Sequence, residues 1–177
     1  MSQPLRVSVV PATQLAPVDR NQIVALCSNV FETDYSLFLN DFVDTTHVIG
    51  YLADEVVSHA LWLPRRLLVG DQDIVESAYV EGVATWPRFE GRGFASALMR
   101  RLHGEITSFN LGALSTGIPG WYERLGWKAW LGPKYVRRDQ MLTETPDEHV
   151  MVYEIAGKPL PNVGKSLTVE WRPNEAW

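Results

Sequence analysis

YVEGVATWPRFEGRGFA, residues 79–95, runs from an apolar strand through a glycine turn into a helix. The strand portion is Ala78 to Thr85, the turn is Arg88 to Gly93, and Phe94 opens the helix. Gly91 and Gly93 permit a sharp turn and let backbone come close to a ligand. The first free N–H groups of the helix, at the positive end of its dipole, then face an anion such as a phosphate. Arg88 and Arg92 add fixed positive charge at the same spot. A glycine turn alone is equally an ordinary strand-to-helix connection. Glu81, a carboxylate inside an otherwise apolar strand, turns the reading toward chemistry.

Two familiar phosphate loops are absent. The string GxxxxGK[ST] does not occur, and Gly91-x-Gly93-x-x-Ser96 lacks both the third glycine and the repeated strand-helix units of a dinucleotide site. The pattern RxxGxG at Arg88 to Gly93 resembles the acetyl-CoA pyrophosphate loop of the GNAT acetyltransferases. That resemblance implies a cofactor site at Val83, Ala84, Thr85, Arg88, Glu90, Gly91, Arg92, Gly93, Phe94 and Ala95. Val83 to Thr85 would meet the pantetheine arm.

The chain's 177 residues make one domain with room for a core. A net charge of −5 argues against a nucleic-acid binder and suits a cationic substrate. The N-terminus has no cationic region followed by a long apolar run, and no stretch reaches membrane-spanning length, so a soluble cytoplasmic protein is expected. One cysteine rules out an internal disulfide framework.

Leu5 to Val10 alternates like a strand, and Pro17 opens a helix carrying Ile23, Leu26, Cys27, Val30 and Phe31 at helical spacing. Residues 32–41 read as a loop and short helix. Strands at 47–53, 56–63, 67–69 and 74–85, separated by turns at 54–55 and 70–72, predict an antiparallel meander. Phe94, Leu98, Leu102 and Ile106 mark a helix lying on the sheet. Further on, strands are expected at 111–115, 127–131, 150–155 and 166–172, a short helix at 120–126, and loops at 137–149 and 157–164. The fold class that follows is α/β (α+β), with a mixed, mostly antiparallel central sheet flanked by helices, and the resemblance implies a single GNAT domain over 1–177.

Acetyl transfer to an amine needs a base for the ammonium, donors for the oxyanion and an acid for the leaving thiolate. Glu81 is the candidate base; its alternative is a solvent-facing or salt-bridged strand glutamate. Tyr122 lies where GNAT enzymes often place a general acid; its alternative is a core tyrosine between Trp121 and Leu125. A bulge near Gly82 would free the Val83 N–H for the oxyanion. Cys27, on an apolar helix face with no nearby histidine, reads as buried packing rather than as a nucleophile. His47, His59, His103 and His149 show neither metal-ligand spacing nor a pairing with cysteine, and no metal is implied.

Five segments, taken in order, resemble the aminoglycoside 2'-N-acetyltransferases over nearly the whole chain. They are Tyr79 to Ala84, Leu111 to Ser115, Trp127 to Pro133, Thr145 to Glu148, and Glu170 to Trp177. The resemblance implies direct acetyl transfer to an antibiotic, gentamicin-like or kasugamycin, conferring resistance. It also implies substrate contacts from Asp34, Asp41, Glu81, Gly82, Ser115, Asp147, Glu148, Glu175 and Trp177. The chain departs from that family at Glu175, where aspartate is common, at its Gly-Arg-Gly turn, and in the spacing around Asp34 and Asp41. Two other readings stay open: a GNAT enzyme for another small amine, such as a polyamine or a peptide N-terminus, and a non-catalytic acyl-CoA-binding module. Neither nucleic acid nor membrane is expected as a partner, and an exposed sheet edge is compatible with a homodimer.

Overall fold

The computed structural model describes residues 3–173 and 176–177, which form two compact units. The first comprises residues up to Leu63 together with Val80–Gly104, and the second Pro64–Tyr79 with Glu105–Trp177. Two long strands, β3 (Glu55–Val69) and β4 (Asp73–Thr85), contribute residues to both.

In the first unit β1 (Arg6–Pro11), β2 (Thr46–Leu52), β3 and β4 follow one another as the expected meander. The run Val56 to Leu63 is buried throughout, without polar alternation, because helices cover both faces of these strands. On one face lie α1 (Pro17–Phe31) and α2 (Tyr35–Asp41). Ile23, Leu26, Tyr35 and Phe38 meet Ile49, Leu61 and Ala84 there. On the other lies α3 (Phe94–Glu105); a Cβ on Gly50 of β2 would sit 3.0 Å from the Leu98 side chain. Pro17 at the start of α1 supplies the preset φ that a first helical turn favours.

The second unit orders its strands β6-β9-β5-β4-β3-β10-β7-β8. The new members are β5 (Leu111–Ser115), β6 (Lys128–Ala129), β7 (Lys134–Arg138), β8 (Met141–Glu144), β9 (Val150–Glu154) and β10 (Leu167–Glu170), with the short α4 at Pro119–Glu123. β4 and β5 run parallel for three pairs, ending at Tyr79↔Ala113, while β10 and β7 form the second parallel pair. Leu67, Tyr79, Leu111, Trp130, Val152 and Trp177 belong to one buried cluster. The mixed, mostly antiparallel sheet with flanking helices gives the expected α+β class.

Three expectations change. The strands expected at 56–63 and 67–69 are one, because Pro64 withdraws a single N–H donor without ending the extended backbone. The loop expected at 137–149 contains the end of β7, the turn at Asp139 with φ of 56° and all of β8, which pair as a hairpin. The strand expected at 127–131 shrinks to two residues, since Leu131 and Gly132 leave it to donate to the Val163 carbonyl. At Gly132 a side chain would collide with the Lys165 carbonyl, so that crossing needs glycine.

Candidate active site

The turn forms as its sequence requires. Gly91 and Gly93 have φ of 73° and 78°, the left-handed region that glycine enters freely. α3 begins at Phe94, and its first main-chain bond runs from Ala97 N to Gly93 O at 3.0 Å. The N–H groups before Ala97 have no intrahelical acceptor. Nothing lies within 4 Å of a Cβ built on Gly91 or Gly93. The fold itself therefore makes no packing demand for glycine at either position; the open space is a cradle that a phosphate would fill. Arg92 extends over Phe89 and Phe94, with its guanidinium 5.5 and 4.7 Å from the ring centroids. Arg88 stacks on Trp86 and Phe89 and is ion-paired with Glu55, so its charge is shared rather than reserved for a ligand. Glu90 is exposed.

Upstream on β4, Ser58 Oγ donates to the Ala84 carbonyl at 3.0 Å, and Trp86 N donates to the Val57 carbonyl at 3.1 Å. Strand alternation leaves the main-chain groups of Val83 and Thr85 facing away from β3. Gly82 adopts φ of 60°. A side chain there would strike the Tyr35 hydroxyl and come within 3.3 Å of His59. Glu81, beside it, is half-buried, between the two environments that its alternative readings demanded.

Cys27 is fully buried, and burial pushes its thiol well above the ordinary range, which suits packing and not nucleophilic attack. It is not remote from histidine, however. Its Sγ lies 3.5 Å from His59 Nδ1, which corrects the expectation that no histidine pairs with the cysteine. The two residues are 32 apart in sequence and meet only because α1 lies on β3.

The acceptor-side candidates divide. Asp34 caps α2, accepting from Ser36 N at 3.0 Å and Ser36 Oγ at 2.6 Å, and those bonds hold its carboxyl below the usual range. Asp41 is the last residue of the same helix, so the two stand at opposite ends of α2. In the second unit Ser115 Oγ donates to Glu148 Oε2 at 2.6 Å. Glu148 N bonds the Thr145 carbonyl at 3.3 Å, and Trp177 Nε1 donates to Thr145 Oγ1 at 2.8 Å. Ser115, Glu148 and Trp177, which span 62 positions of sequence, are thereby joined through Thr145. Asp147 is exposed beside them, and Glu175 lies outside the described residues.

Trp177 is 2% exposed, and its main-chain oxygen receives Arg172 Nη2 at 3.4 Å. Arg65 Nη2 donates to the Ala176 carbonyl at 2.5 Å, and the Arg65 and Arg172 guanidiniums lie 4.6 and 5.1 Å from the Tyr79 ring centroid. Sequence reasoning missed Thr145, Arg65 and Arg172 as the parts that hold the tail. Tyr122 is 6% exposed in α4, its ring edge-on to Trp121 and Trp127 at centroid distances of 4.7 and 6.0 Å. Its surroundings resemble the core-tyrosine alternative. Among the described residues no three His, Cys, Asp or Glu side chains gather as a metal site, and no described helix is long and apolar enough to cross a membrane.

The family model described as an acetyltransferase (GNAT) domain matches residues 13–130. An aminoglycoside 2'-N-acetyltransferase of Mycolicibacterium fortuitum is 33% identical over 161 residues, covering 83% of this chain and 79% of that protein. Among solved structures, the GNAT family N-acetyltransferase YhbS of Escherichia coli, determined with CoA, aligns with a TM-score of 0.66 and 18% identity over 95% of this chain and 89% of its own. A probable N-acyltransferase of Enterococcus faecalis aligns at 0.61 and 15% identity over 72% of this chain, which spans only 33% of that longer protein.

Proposed function

The chain belongs to the GNAT acetyltransferase family, and from that premise we propose that it transfers acetyl from acetyl-CoA to the 2'-amine of an aminoglycoside. The drug is gentamicin-like or kasugamycin, and the outcome is resistance. The observation that supports the acceptor is the junction of Ser115, Glu148 and Trp177 at Thr145, which joins a carboxylate-bearing turn to a buried indole. A polycationic sugar needs several such oxygens, and Asp34, Asp41, Asp147 and Glu175 are the further carboxylates proposed for it.

Acetyl-CoA supplies an activated thioester carbonyl. The open cradle at Gly91 and Gly93, the helix N–H groups of Phe94 and Ala95, and Arg92 suit its pyrophosphate. Arg88 would join them by releasing Glu55. Val83 to Thr85 offer main-chain groups along the arm. Glu81 takes the proton of the attacking ammonium, directly or through a water. As the C–N bond forms and the C–S bond breaks, the Val83 N–H donates to the acyl oxygen and Tyr122 gives its proton to the departing sulfur. The enzyme would act in the cytoplasm, where acetyl-CoA is available, without nucleic-acid or membrane partners.

The test is CoA release measured across drugs bearing a 2'-amine, matched drugs bearing a 2'-hydroxyl, and kasugamycin. Turnover confined to 2'-amine drugs or kasugamycin is expected. Equal rates on amine and hydroxyl members would remove the regiochemistry, and turnover only with polyamines or peptide N-termini would transfer the enzyme to another amine. CoA binding without any turnover would make it a binding module.

A further inference from the structure

Three polar side chains deep in the first unit have no part in the chemistry above. Thr45, His47 and His59 are buried, and they form a chain ending on the site strand. Thr45 Oγ1 is 3.1 Å from His47 Nε2, His47 Nδ1 is 2.9 Å from His59 Nε2, and His59 Nδ1 is 2.8 Å from the Gly82 carbonyl oxygen. The last acceptor fixes every bond before it. A carbonyl only accepts, so His59 carries its hydrogen on Nδ1. A neutral imidazole has one such hydrogen, so His59 Nε2 accepts from His47 Nδ1–H, and His47 Nε2 in turn accepts from the Thr45 hydroxyl. Burial pushes both rings well below their ordinary pKa, to about 4 for His47 and about 3 for His59, and so keeps them neutral. Other titratable groups face the chain as well: Cys27 from α1, Tyr35 from α2, and Arg20, whose charge lowers His47 further.

All three donors point the same way, at one peptide. No cis bond occurs among the described residues, so the Val83 N–H points opposite to the Gly82 carbonyl. Hydrogen bonds arranged head to tail strengthen one another, and donation to an amide oxygen makes the N–H of that same amide a better donor. An amide oxygen is no proton acceptor at these pH values, so the chain is not a proton exit. We infer that Thr45, His47 and His59 are positioning residues that lock the Gly82–Val83 peptide and polarise its N–H toward the acyl oxygen. The left-handed φ of Gly82 and the absence of a Cβ there are what allow His59 this approach. The inference rests on the acyl-transfer reading proposed above, and goes beyond it by giving the buried pair a task.

The test uses the full chain. Nitrogen-15 NMR of the wild type should show hydrogen on Nδ1 of both rings down to about pH 5; hydrogen on Nε2 of His59 would overturn the proposal outright. His59→Leu should lower kcat about 10- to 100-fold while KM for acetyl-CoA stays within about twofold, since an oxyanion donor acts in the transition state. In the same variant the carbonyl resonance of bound carbon-13-labelled acetyl-CoA should move toward its free position. His59→Asn restores a donor to the Gly82 carbonyl and should recover at least about half of the lost shift. A folded His59→Leu that leaves kcat and the carbonyl resonance unchanged overturns the inference, as does failure of Asn to exceed Leu. If Leu does not fold, the wild-type tautomers and the Asn variant decide alone. A wild type that binds no acetyl-CoA sinks the acyl-transfer reading itself, whereas binding with an unmoved resonance sinks only the inference.

Discussion

The turn at 88–93 and the junction at Thr145 offer a ligand different things. The turn presents backbone: two left-handed glycines, the first N–H groups of α3 and open space around both. The junction presents side chains brought from β5, the 145–148 turn and the chain end, each spent partly on another. Backbone sites suit a group common to many reactions, since a main chain cannot easily be varied. Side-chain sites suit discrimination, because one substitution changes the shape without disturbing the fold.

The carboxylate on β4 should give the largest effect. Glu81→Gln should lower kcat/KM by about 10²- to 10⁴-fold at neutral pH and by less at high pH, where free amine no longer needs a base. A flat difference across pH would move the base elsewhere and reduce β4 to a backbone contributor. Next comes deletion of Trp177, which empties a buried indole site and removes its hydrogen bonds with Thr145 and Arg172; thermal or urea unfolding should show a loss of about 3 kcal/mol. If the acceptor KM rises while stability holds, the tail serves only the ligand.

Acid should separate the two units. His47 and His59 titrate well below 6.5, so between that value and about 4 the unfolded chain binds protons that the native one refuses, and stability falls as pH falls. Two rings together give about 2.7 kcal/mol per pH unit at the steepest, near pH 5. Hydrogen exchange should show β2 and β3 opening before β9 and β5; simultaneous opening would break the contrast. The smallest kinetic change is expected for Gly91→Val: about a tenfold rise in the acetyl-CoA KM with the acceptor KM unmoved, read by steady-state kinetics, beside some loss of stability because the side chain is strained at the left-handed φ. A matching rise in the acceptor KM would erase the division of labour between turn and junction.

These differences also explain what could be read from sequence. The turn, α1 and β5 rest on contiguous signals: a proline at the first helical turn, apolar residues at helical spacing, glycines where φ is positive. The β7–β8 hairpin was hidden because β8 is exposed on all four residues and shows no alternation to detect. Trp127 to Leu131 has strand composition, but its end is captured by Val163, a partner 32 residues away from Leu131. The histidine pair left a faint signal: each ring interrupts an apolar strand run, and the register sets His47 opposite Leu61, two residues from His59. Thr145 showed only as the first residue of the Thr145–Glu148 segment, and nothing there marked it as the partner of Trp177, since a threonine before a proline is most simply a turn residue.

Gly132 and Gly91 would follow different courses under drift. The first is pressed against the Lys165 carbonyl, and any lineage that replaced it would lose the fold and be purged whatever the cell's diet of amines or drugs. The second touches nothing, so its left-handed φ and the use of a ligand, rather than packing, keep it. In descendants freed from selection for the activity, residue 91 would drift toward residues that accept a left-handed φ, such as asparagine, while residue 132 stayed fixed.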